Sequence, residues 1–436
     1  MIPACSGRRP ARGRPGEPAD RWVGQVGVVA VNQVALSLSL GLFAVLTARA
    51  LGPANRGVLV IFVTLSGLLT LVGSLGTNTA ARVRMVATDN RLLLADYLGL
   101  AAGLLTVQAV ASVGLGAVVL SATHSLVGGY LLVAFAVYSV LSLACTFLRD
   151  GLYAFGHNGS ASRADAVAAG IQLAAVLLCF ALWHGRLALA LVAVVVGSVG
   201  ELGYLARRYA ANSLSLRPRV RFSAWPADIG SGLPALVVHL GRAMTIRFDR
   251  ILLGILASTG QVGIYSVAAT MSETLWLVPG SIAQVVFHRV ASARTPVHRL
   301  RRIRIVNLAL SVLGAGVLAL LAPALVIAVF GEAFRGATTA MQVLLIAAVA
   351  IACYQVDITC VVASNELRLA SGITSVGFSA VLLLDLALIP RYGLLGAAWA
   401  SVAGYGLMAM LSVLAVSRMA AAERRTSDTR CDRTAT

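Results

Sequence analysis

The chain has 436 residues, of which 58% are apolar and only 12% are charged. A soluble chain of this length needs polar residues to cover two or three domains, and soluble proteins average about a quarter charged residues. Together with a mean hydropathy of +0.86, this composition excludes an ordinary soluble protein and predicts an integral membrane protein.

The 35 basic residues are all arginine, and the formal net charge is +18. The absence of lysine excludes a P-loop ATPase, a protein kinase and a pyridoxal enzyme, because each needs a lysine for its chemistry. An arginine excess also occurs in nucleic-acid-binding proteins, but arginines beside apolar spans are the usual cytoplasmic anchors of membrane proteins. We therefore expect anionic membrane lipids, and not nucleic acid, to be partners of this charge.

The six cysteines and six histidines show no spacing typical of metal ligands. No C-x-x-C pair and no H-E-x-x-H motif occurs, and four of the cysteines lie inside apolar runs. Buried thiols of membrane helices explain this pattern. The sequence therefore predicts no metal, no ATP site and no other cofactor.

Twelve apolar runs reach the length of about 20 residues that crosses the hydrocarbon core of a bilayer. The first run is too long for the core of a signal peptide, so we interpret it as a retained span. The predicted spans are residues 23–50, 57–80, 93–120, 126–148, 164–184, 187–207, 228–254, 262–287, 303–330, 337–361, 368–389 and 393–417.

These spans predict an all-α fold with two six-helix lobes, residues 23–208 and residues 228–417. Residues 209–227 are then a cytoplasmic linker between the lobes. Residues 1–22 are rich in Arg, Pro and Gly without periodicity, which is typical of a disordered tail. We expect a second disordered tail at 418–436.

The arginines predict that both termini lie in the cytoplasm of a multi-pass cell-membrane protein. With this orientation, 27 of the 35 arginines fall in the tails and cytoplasmic loops, as the positive-inside rule requires. The eight others are Arg49, Arg56, Arg186, Arg242, Arg247, Arg250, Arg335 and Arg391.

Two halves of the chain resemble each other at an offset of about 205 residues. The segment A-A-V-L-L-C-F-A-L from Ala174 matches S-A-V-L-L-L-D-L-A-L from Ser379, and the junctions at 51–57 and 257–263 occupy equivalent places. Six helices per half make the repeats parallel. Parallel repeats place a substrate site between the halves and alternate its access by rocking, which favours a transporter.

The seventh span carries four charges in nine residues: Arg242, Arg247, Asp249 and Arg250. On a regular helix, Arg242 and Asp249 lie about 20° apart and the other two fall within the same half. Charges at this depth cost about 2.5–3.5 kcal/mol each and normally face an interior. Arginine forks suit phosphate oxygens, which predicts an anion site. Alternatives are a structural pair with Asp249, or an arginine that reaches the membrane surface.

Further polar residues lie in the helices that correspond in the two halves. Asn32 and Gln33 are candidates for the same cleft, although an interhelical hydrogen bond is the favoured interpretation of both. Arg49 ends the first span and Arg56 begins the second. Glu273 in the eighth span is a candidate for ion coupling or a partnered structural carboxylate. Asp357 and Asp385 have no repeat-related charge opposite, so we interpret them as structural.

Three segments resemble polysaccharide-biosynthesis flippases. They are A-R-A-L-G-P-A-N-R-G at 48–57, R-F-D-R-I-L-L-G at 247–254 with V-G-I-Y-S-V-A at 262–268, and I-P-R-Y-G-L-L-G-A-A-W-A-S at 389–401. This family of lipid-linked oligosaccharide flippases belongs to the multidrug/oligosaccharidyl-lipid/polysaccharide exporter superfamily. That superfamily also contains the peptidoglycan-precursor flippase and toxic-compound exporters.

The resemblance implies twelve helices in two lobes around a central cavity that opens alternately to each side. It also implies an isoprenoid-pyrophosphate-linked oligosaccharide as cargo, moved from the inner to the outer leaflet and held by cations at its pyrophosphate. The residues at the matching positions are Arg49, Arg56, Arg247 and Arg250. Asp249 matches the acid of helix 7, whereas Arg242 matches no motif and is a candidate from the helix wheel alone.

We therefore predict a flippase for a capsule, exopolysaccharide or cell-wall precursor, coupled to the membrane potential or to an ion gradient. Glycan polymerases and glycosyltransferases of the same pathway are its expected partners. The alternative is an ion-coupled multidrug exporter, but such a cavity should be acidic and aromatic, and only 6% of residues are aromatic. A membrane enzyme would need a catalytic domain or large loop that the sequence lacks. Buried charges argue against a scaffold without transport activity.

Overall fold

The computed structural model describes residues 19–88, 91–122, 129–183, 186–291, 300–364 and 366–434. Within these ranges every regular element is an α-helix or a short 3-10 turn. A helix pairs its backbone donors and acceptors internally, which is what a bilayer demands of a spanning segment. The all-α fold expected from the composition is confirmed.

Thirteen α-helices follow one another along the described chain. They are α1 (Ala19–Gly73), α2 (Thr77–Thr88), α3 (Arg91–Ala122), α4 (Gly129–Ala154), α5 (Asn158–Trp183), α6 (Leu187–Ala211), α7 (Trp225–Leu256), α8 (Thr259–Glu273), α9 (Leu277–Ala291), α10 (Arg301–Phe330), α11 (Ala337–Ala363), α12 (Leu367–Tyr392) and α13 (Leu394–Thr434).

Helix α1 contains the first predicted span and most of the second. Gly52 interrupts it with a φ of 68°, a conformation that glycine adopts without steric strain. The Arg56 guanidinium donates a hydrogen bond of 2.6 Å to the hydroxyl of Thr47, nine residues earlier. In a straight helix these residues would be about 13.5 Å apart along the axis, so the chain folds back at Gly52.

The eighth predicted span is also divided. Helix α8 ends at Glu273, a 3-10 turn covers Thr274–Trp276, and α9 continues the span from Leu277. Pro279 explains the interruption, because its ring cannot donate to the carbonyl four residues earlier and would clash with it. The break places the carboxylate of Glu273 at an irregular point of the helix.

By length and hydropathy, nine described helices can each cross a membrane, or ten if the bent α7 is one span. That count takes α1 once and leaves out α8 and α9, which have 15 residues each. Dividing α1 at Gly52 and joining α8 to α9 gives helices at all twelve predicted positions. Apolar side chains on the outer faces, such as Leu320 at 84% exposure, suit contact with lipid.

The two lobes meet closely where α1 turns and α8 begins. A Cβ atom on Gly57 would lie 1.7 Å from the carbonyl oxygen of Thr259, and one on Gly263 would lie 1.9 Å from that of Pro53. Only residues without a side chain allow this approach of the two backbones. Both glycines lie in the junctions that the internal repeat relates, so the repeat brings equivalent segments together.

The linker between the lobes is attached to the N-terminal lobe. The Arg219 N–H donates to the carbonyl of Ala95 at 2.8 Å, and Arg84 forms an ion pair of 2.6 Å with Asp228 at the start of α7. A bend of 47° separates the segment Phe222–Val237, which includes the 3-10 turn before α7, from the rest of α7 at His239–Leu256. The beginning of α7, which we assigned to the C-terminal lobe, therefore packs on the N-terminal lobe.

The predicted tails differ from the structure where it describes them. Residues 1–18 lie outside the described residues, but 19–22 already belong to α1. Helix α13 continues to Thr434, so most of the segment 418–436 is helical rather than disordered. Alanine, glutamate and arginine favour helix, and extending an existing helix avoids the unfavourable nucleation step.

Candidate functional site

The charges of α7 do not form a single ladder. Asp249 is buried at 5% exposure, whereas Arg242 and Arg247 are exposed and Arg250 is partly buried. Thr245, one turn before Asp249, faces the same way and its carbonyl accepts from the Tyr405 hydroxyl at 3.1 Å. The carboxylate therefore points into the C-terminal lobe, and Arg247 lies about 160° round the helix from it.

The Asp249 carboxylate is held by two donors. The hydroxyl of Tyr265 donates to one oxygen at 2.5 Å, and the backbone N–H of Arg250 donates to the other at 2.7 Å. Asp385 on α12 is close enough to interact electrostatically with this carboxylate. Both acids are buried in the C-terminal lobe.

Arg250 joins α7 to α8. Its guanidinium forms an ion pair of 2.5 Å with Glu273, and the side chains are 12% and 33% exposed respectively. A cavity of about 20 Å³ beside this pair is lined by Asp249, Arg250, Tyr265, Glu273 and other residues. That volume suffices for about one water molecule, so this part of the site is closed in the present conformation.

Arg56 is a buried cation without a carboxylate. It is 7% exposed, its guanidinium donates a hydrogen bond to Thr47, and its Nε has no hydrogen-bond partner in the described part of the chain. Among the described residues, none of the ion pairs includes Arg56. Arg250 of the other lobe also acts on it electrostatically, but Arg250 is itself paired with Glu273. A buried guanidinium without a carboxylate partner is costly, and an anionic ligand would remove that cost.

Arg247 is the cation that remains available. Its side chain is exposed, and in the described part of the chain it makes neither a hydrogen bond nor an ion pair. It interacts electrostatically with Arg250, Glu273 and Asp249 of its own lobe, and also with Tyr138 on α4 of the N-terminal lobe, so it lies beside the boundary of the two lobes. Arg247 therefore projects from one lobe toward the other, as a residue that contacts a ligand between the lobes should.

The remaining candidates lie elsewhere. The Asn32 amide donates 2.8 Å to the hydroxyl of Ser162 on α5, which is the interhelical hydrogen bond of our alternative interpretation. Gln33 is exposed beside it. Arg242 is exposed and acts on Tyr354 of α11, away from Asp249. Arg49 donates to the carbonyls of Val329 and Ala328 at the end of α10.

Sequence reasoning missed part of the acidic network. Asp385 is buried at 1% exposure with one carboxylate oxygen unpaired, although we had interpreted it as structural because no repeat-related charge faces it. It lies close enough to Asp249 for the two acids to interact electrostatically. Asp357 does have a structural partner, because Arg304 lies 2.6 Å from it. In the sequence, the one signal for a role of Asp385 is its position as an acid within an apolar run.

The fold is shared with solved transporters. The lipid II flippase MurJ in an inward closed conformation matches with a TM-score of 0.74 and 12% identity, over 89% of this chain and 87% of that one. An inward-facing multidrug resistance MATE transporter of the MOP superfamily matches with a TM-score of 0.71 and 15% identity, over 92% and 99%. At these identities the likeness concerns the fold.

A curated relative matches part of the sequence. The probable flippase AglR of Haloferax volcanii is 32% identical over 185 residues, which are 39% of this chain and 37% of that protein. The chain thus aligns with little more than a third of that relative's length. No protein-family model matches the chain.

The chain is therefore an all-α, multi-pass membrane protein that shares its fold with the MurJ flippase and the MATE transporter. The resemblance to flippases, which three sequence segments indicated, is confirmed by the match to AglR over 39% of the chain.

Proposed function

We propose that this protein is a flippase that moves an isoprenoid-pyrophosphate-linked oligosaccharide from the inner to the outer leaflet by alternating access. The cargo is a precursor of a capsule, an exopolysaccharide or a cell-wall polymer. Arg56, Arg247 and Arg250 hold its pyrophosphate between the lobes, and the protein acts as a transporter without enzymatic chemistry. The flippase names of AglR and MurJ support this assignment.

One observation carries the proposal: among the described residues, Arg250 is the only one of the three interface arginines that forms an ion pair. Glu273 neutralises Arg250, while Arg247 and Arg56 have no carboxylate partner among the described residues. A buried guanidinium normally needs a partner, because each costs about 2.5–3.5 kcal/mol at the membrane centre. A pyrophosphate supplies several oxygens that match guanidinium forks.

The same site explains how cargo binding and access can be coupled. Arg56 comes from the N-terminal lobe and Arg247 and Arg250 from the C-terminal lobe, so one anion between them draws both lobes together. Without the anion, Arg56 and Arg247 have no ion-pair partner among the described residues. The energy comes from the membrane potential or an ion gradient, without ATP or another cofactor, and Asp249 or Glu273 is the acid through which an ion acts.

The inferred setting follows from the arginine distribution. The protein lies in the cell membrane with both termini in the cytoplasm, where anionic lipids attract its basic loops. Glycosyltransferases supply the lipid-linked cargo on that side, and a polymerase consumes it on the other. Asn32 contributes to the structure of the N-terminal lobe, while Gln33 and Arg242 lie at the edge of the transport route.

A multidrug exporter is the competing function, since the MATE transporter covers the chain as fully as MurJ does. A cationic drug would be repelled by Arg247, which is why we favour the flippase. Deletion of the gene in its host separates the two. The flippase predicts lipid-linked oligosaccharide accumulating in the inner leaflet and loss of surface glycan, whereas the exporter predicts unchanged glycan and increased drug sensitivity.

Complementation tests the site in the same strain. The wild-type gene and an Arg391→Gln control, altered at an exposed arginine on α12, should restore surface glycan. Arg247→Gln should insert normally but restore about a tenth or less, given the roughly 1.5–3 kcal/mol of a hydrogen bond to a charged group. Full restoration by Arg247→Gln would remove this residue from the site.

A further inference from the structure

Arg49 connects the two lobes at the end of the bundle predicted to face outside. Its Nε donates a hydrogen bond of 2.8 Å to the carbonyl oxygen of Val329, and its Nη2 donates to that of Ala328. Both carbonyls lie in the last turn of α10, which ends at Phe330, and therefore have no partner within the helix. The side chain of Arg49 in the N-terminal lobe thus caps the C-terminal end of α10 in the C-terminal lobe.

The neighbouring contacts make this end of the bundle tightly closed. Arg49 precedes the turn at Gly52 by three residues, and the backbones of Gly57 and Gly263 meet just beyond that turn. On the opposite side the lobes are joined by other residues, the ion pair between Arg84 and Asp228. The inter-lobe contact of Arg49 therefore belongs to one side of the membrane only.

The surroundings of Arg49 do not suit an anionic head group. The C-terminal end of a helix carries a partial negative charge, which attracts a cation and repels an anion. Two of the guanidinium nitrogens already donate to that end. Arg49 thus differs from Arg247, whose guanidinium has no partner in the described chain.

We propose that Arg49 is the latch of the outer closure and not a ligand of the cargo. The end of α1 and the end of α10 belong to different lobes, so the lobes part on this side only when both hydrogen bonds break. The strength of the latch then sets the ratio of outward-open to outward-closed molecules. This inference rests on the alternating-access part of the proposed function, but not on the identity of the cargo.

Spin-label distance measurements on the full chain in nanodiscs test the latch. The six cysteines are replaced by serine, and labels are placed at Ala54→Cys and Ala333→Cys, two exposed positions at this end. We expect Arg49→Gln to raise the ratio of long to short distances about five- to tenfold, a magnitude typical of losing a charge-assisted hydrogen bond. Arg335→Gln is the matched control, because this arginine pairs only locally with Glu332 at the same end.

Arg49→Lys keeps the charge but lacks the planar fork that reaches two carbonyls, so it should give an intermediate ratio. If Arg49→Gln does not yield folded protein, the distance measurement is made on Arg49→Lys instead. Distances in Arg49→Gln and Arg49→Lys that equal those of the unmutated chain would overturn the latch.

Inorganic pyrophosphate separates the latch from a ligand role. If Arg49→Gln leaves the distances unchanged but abolishes the rise in melting temperature that pyrophosphate gives the unmutated chain, Arg49 is a ligand and the latch is wrong. The distance measurement uses no cargo. A chain that shows the Arg49 effect but flips no glycan lipid would refute the flippase while the latch stands.

Discussion

Two charge clusters in the same chain are built in opposite ways. In the N-terminal lobe, Arg149 on α4 has two carboxylate partners, Asp165 on α5 and Glu201 on α6. At the lobe interface, three arginines share one ion-paired carboxylate, that of Glu273. The first cluster pairs its cation with two carboxylates, whereas the second leaves two of its three arginines outside any ion pair of the described residues.

This difference in ion pairing distinguishes charges that stabilise one lobe from charges that are available to bind a ligand. A cation that already has carboxylate partners contributes to folding, and removing one member of such a pair lowers the stability of the protein. A cation without a partner contributes little to folding, so its presence needs another reason. The comparison therefore predicts that removing the paired cation lowers stability, whereas removing an unpaired interface cation impairs transport without lowering stability.

The largest effect on stability is expected for Arg149→Ala. The variant leaves Asp165 and Glu201 without a counter-charge, and both are only partly exposed. We expect a loss of about 2 kcal/mol, between the values typical of surface and buried ion pairs. The melting temperature in detergent should fall clearly, while Arg247→Gln melts like the unmutated protein. Equal melting temperatures of Arg149→Ala and Arg247→Gln would contradict the proposed difference between the two clusters.

A smaller effect of opposite sign is expected for Arg56→Met. This change removes a buried charge without a carboxylate partner and replaces it with an apolar side chain, so stability without ligand should rise by about 1 kcal/mol. Inorganic pyrophosphate should stabilise the unmutated protein through binding, by about 2.7 kcal/mol at a hundred times its dissociation constant. The variant should lose most of this gain. A variant stabilised by pyrophosphate as strongly as the parent would place Arg56 outside the site.

The smallest effect is expected for Asn32→Ala. This side chain makes one hydrogen bond to Ser162 within the N-terminal lobe, and such bonds in membrane proteins contribute about 0.6 kcal/mol on average. The melting temperature should fall slightly and complementation of a deletion strain should remain complete. Loss of surface glycan with an unchanged melting temperature would instead make Asn32 a cargo contact.

Much of the fold could be predicted because hydropathy and arginine distribution act locally along the chain. All twelve predicted spans coincide with helices, and the glycine-containing junctions at 51–57 and 257–263 meet as the repeat suggests. The helical extension of α13 to Thr434 was missed because charged residues at a chain end are equally typical of a disordered tail.

The site was less predictable, because the partner of each charge comes from a distant part of the chain. A helix wheel places Arg247 and Asp249 within one half of α7, but only the packing of Tyr265 shows that the carboxylate turns into the lobe. Likewise, the resemblance assigns Arg49 to the cargo, and only the position of Val329, 280 residues later, indicates another role.

The central claim is that arginines between the lobes hold the pyrophosphate of a lipid-linked glycan. Its most direct test is transport in proteoliposomes of a fluorescent polyisoprenyl-pyrophosphate-linked sugar, with dithionite quenching as the measure of leaflet exchange. The account predicts exchange with the unmutated protein and with Arg391→Gln, and exchange at least about tenfold slower with Arg247→Gln. Equal exchange by Arg247→Gln and the unmutated protein would contradict it.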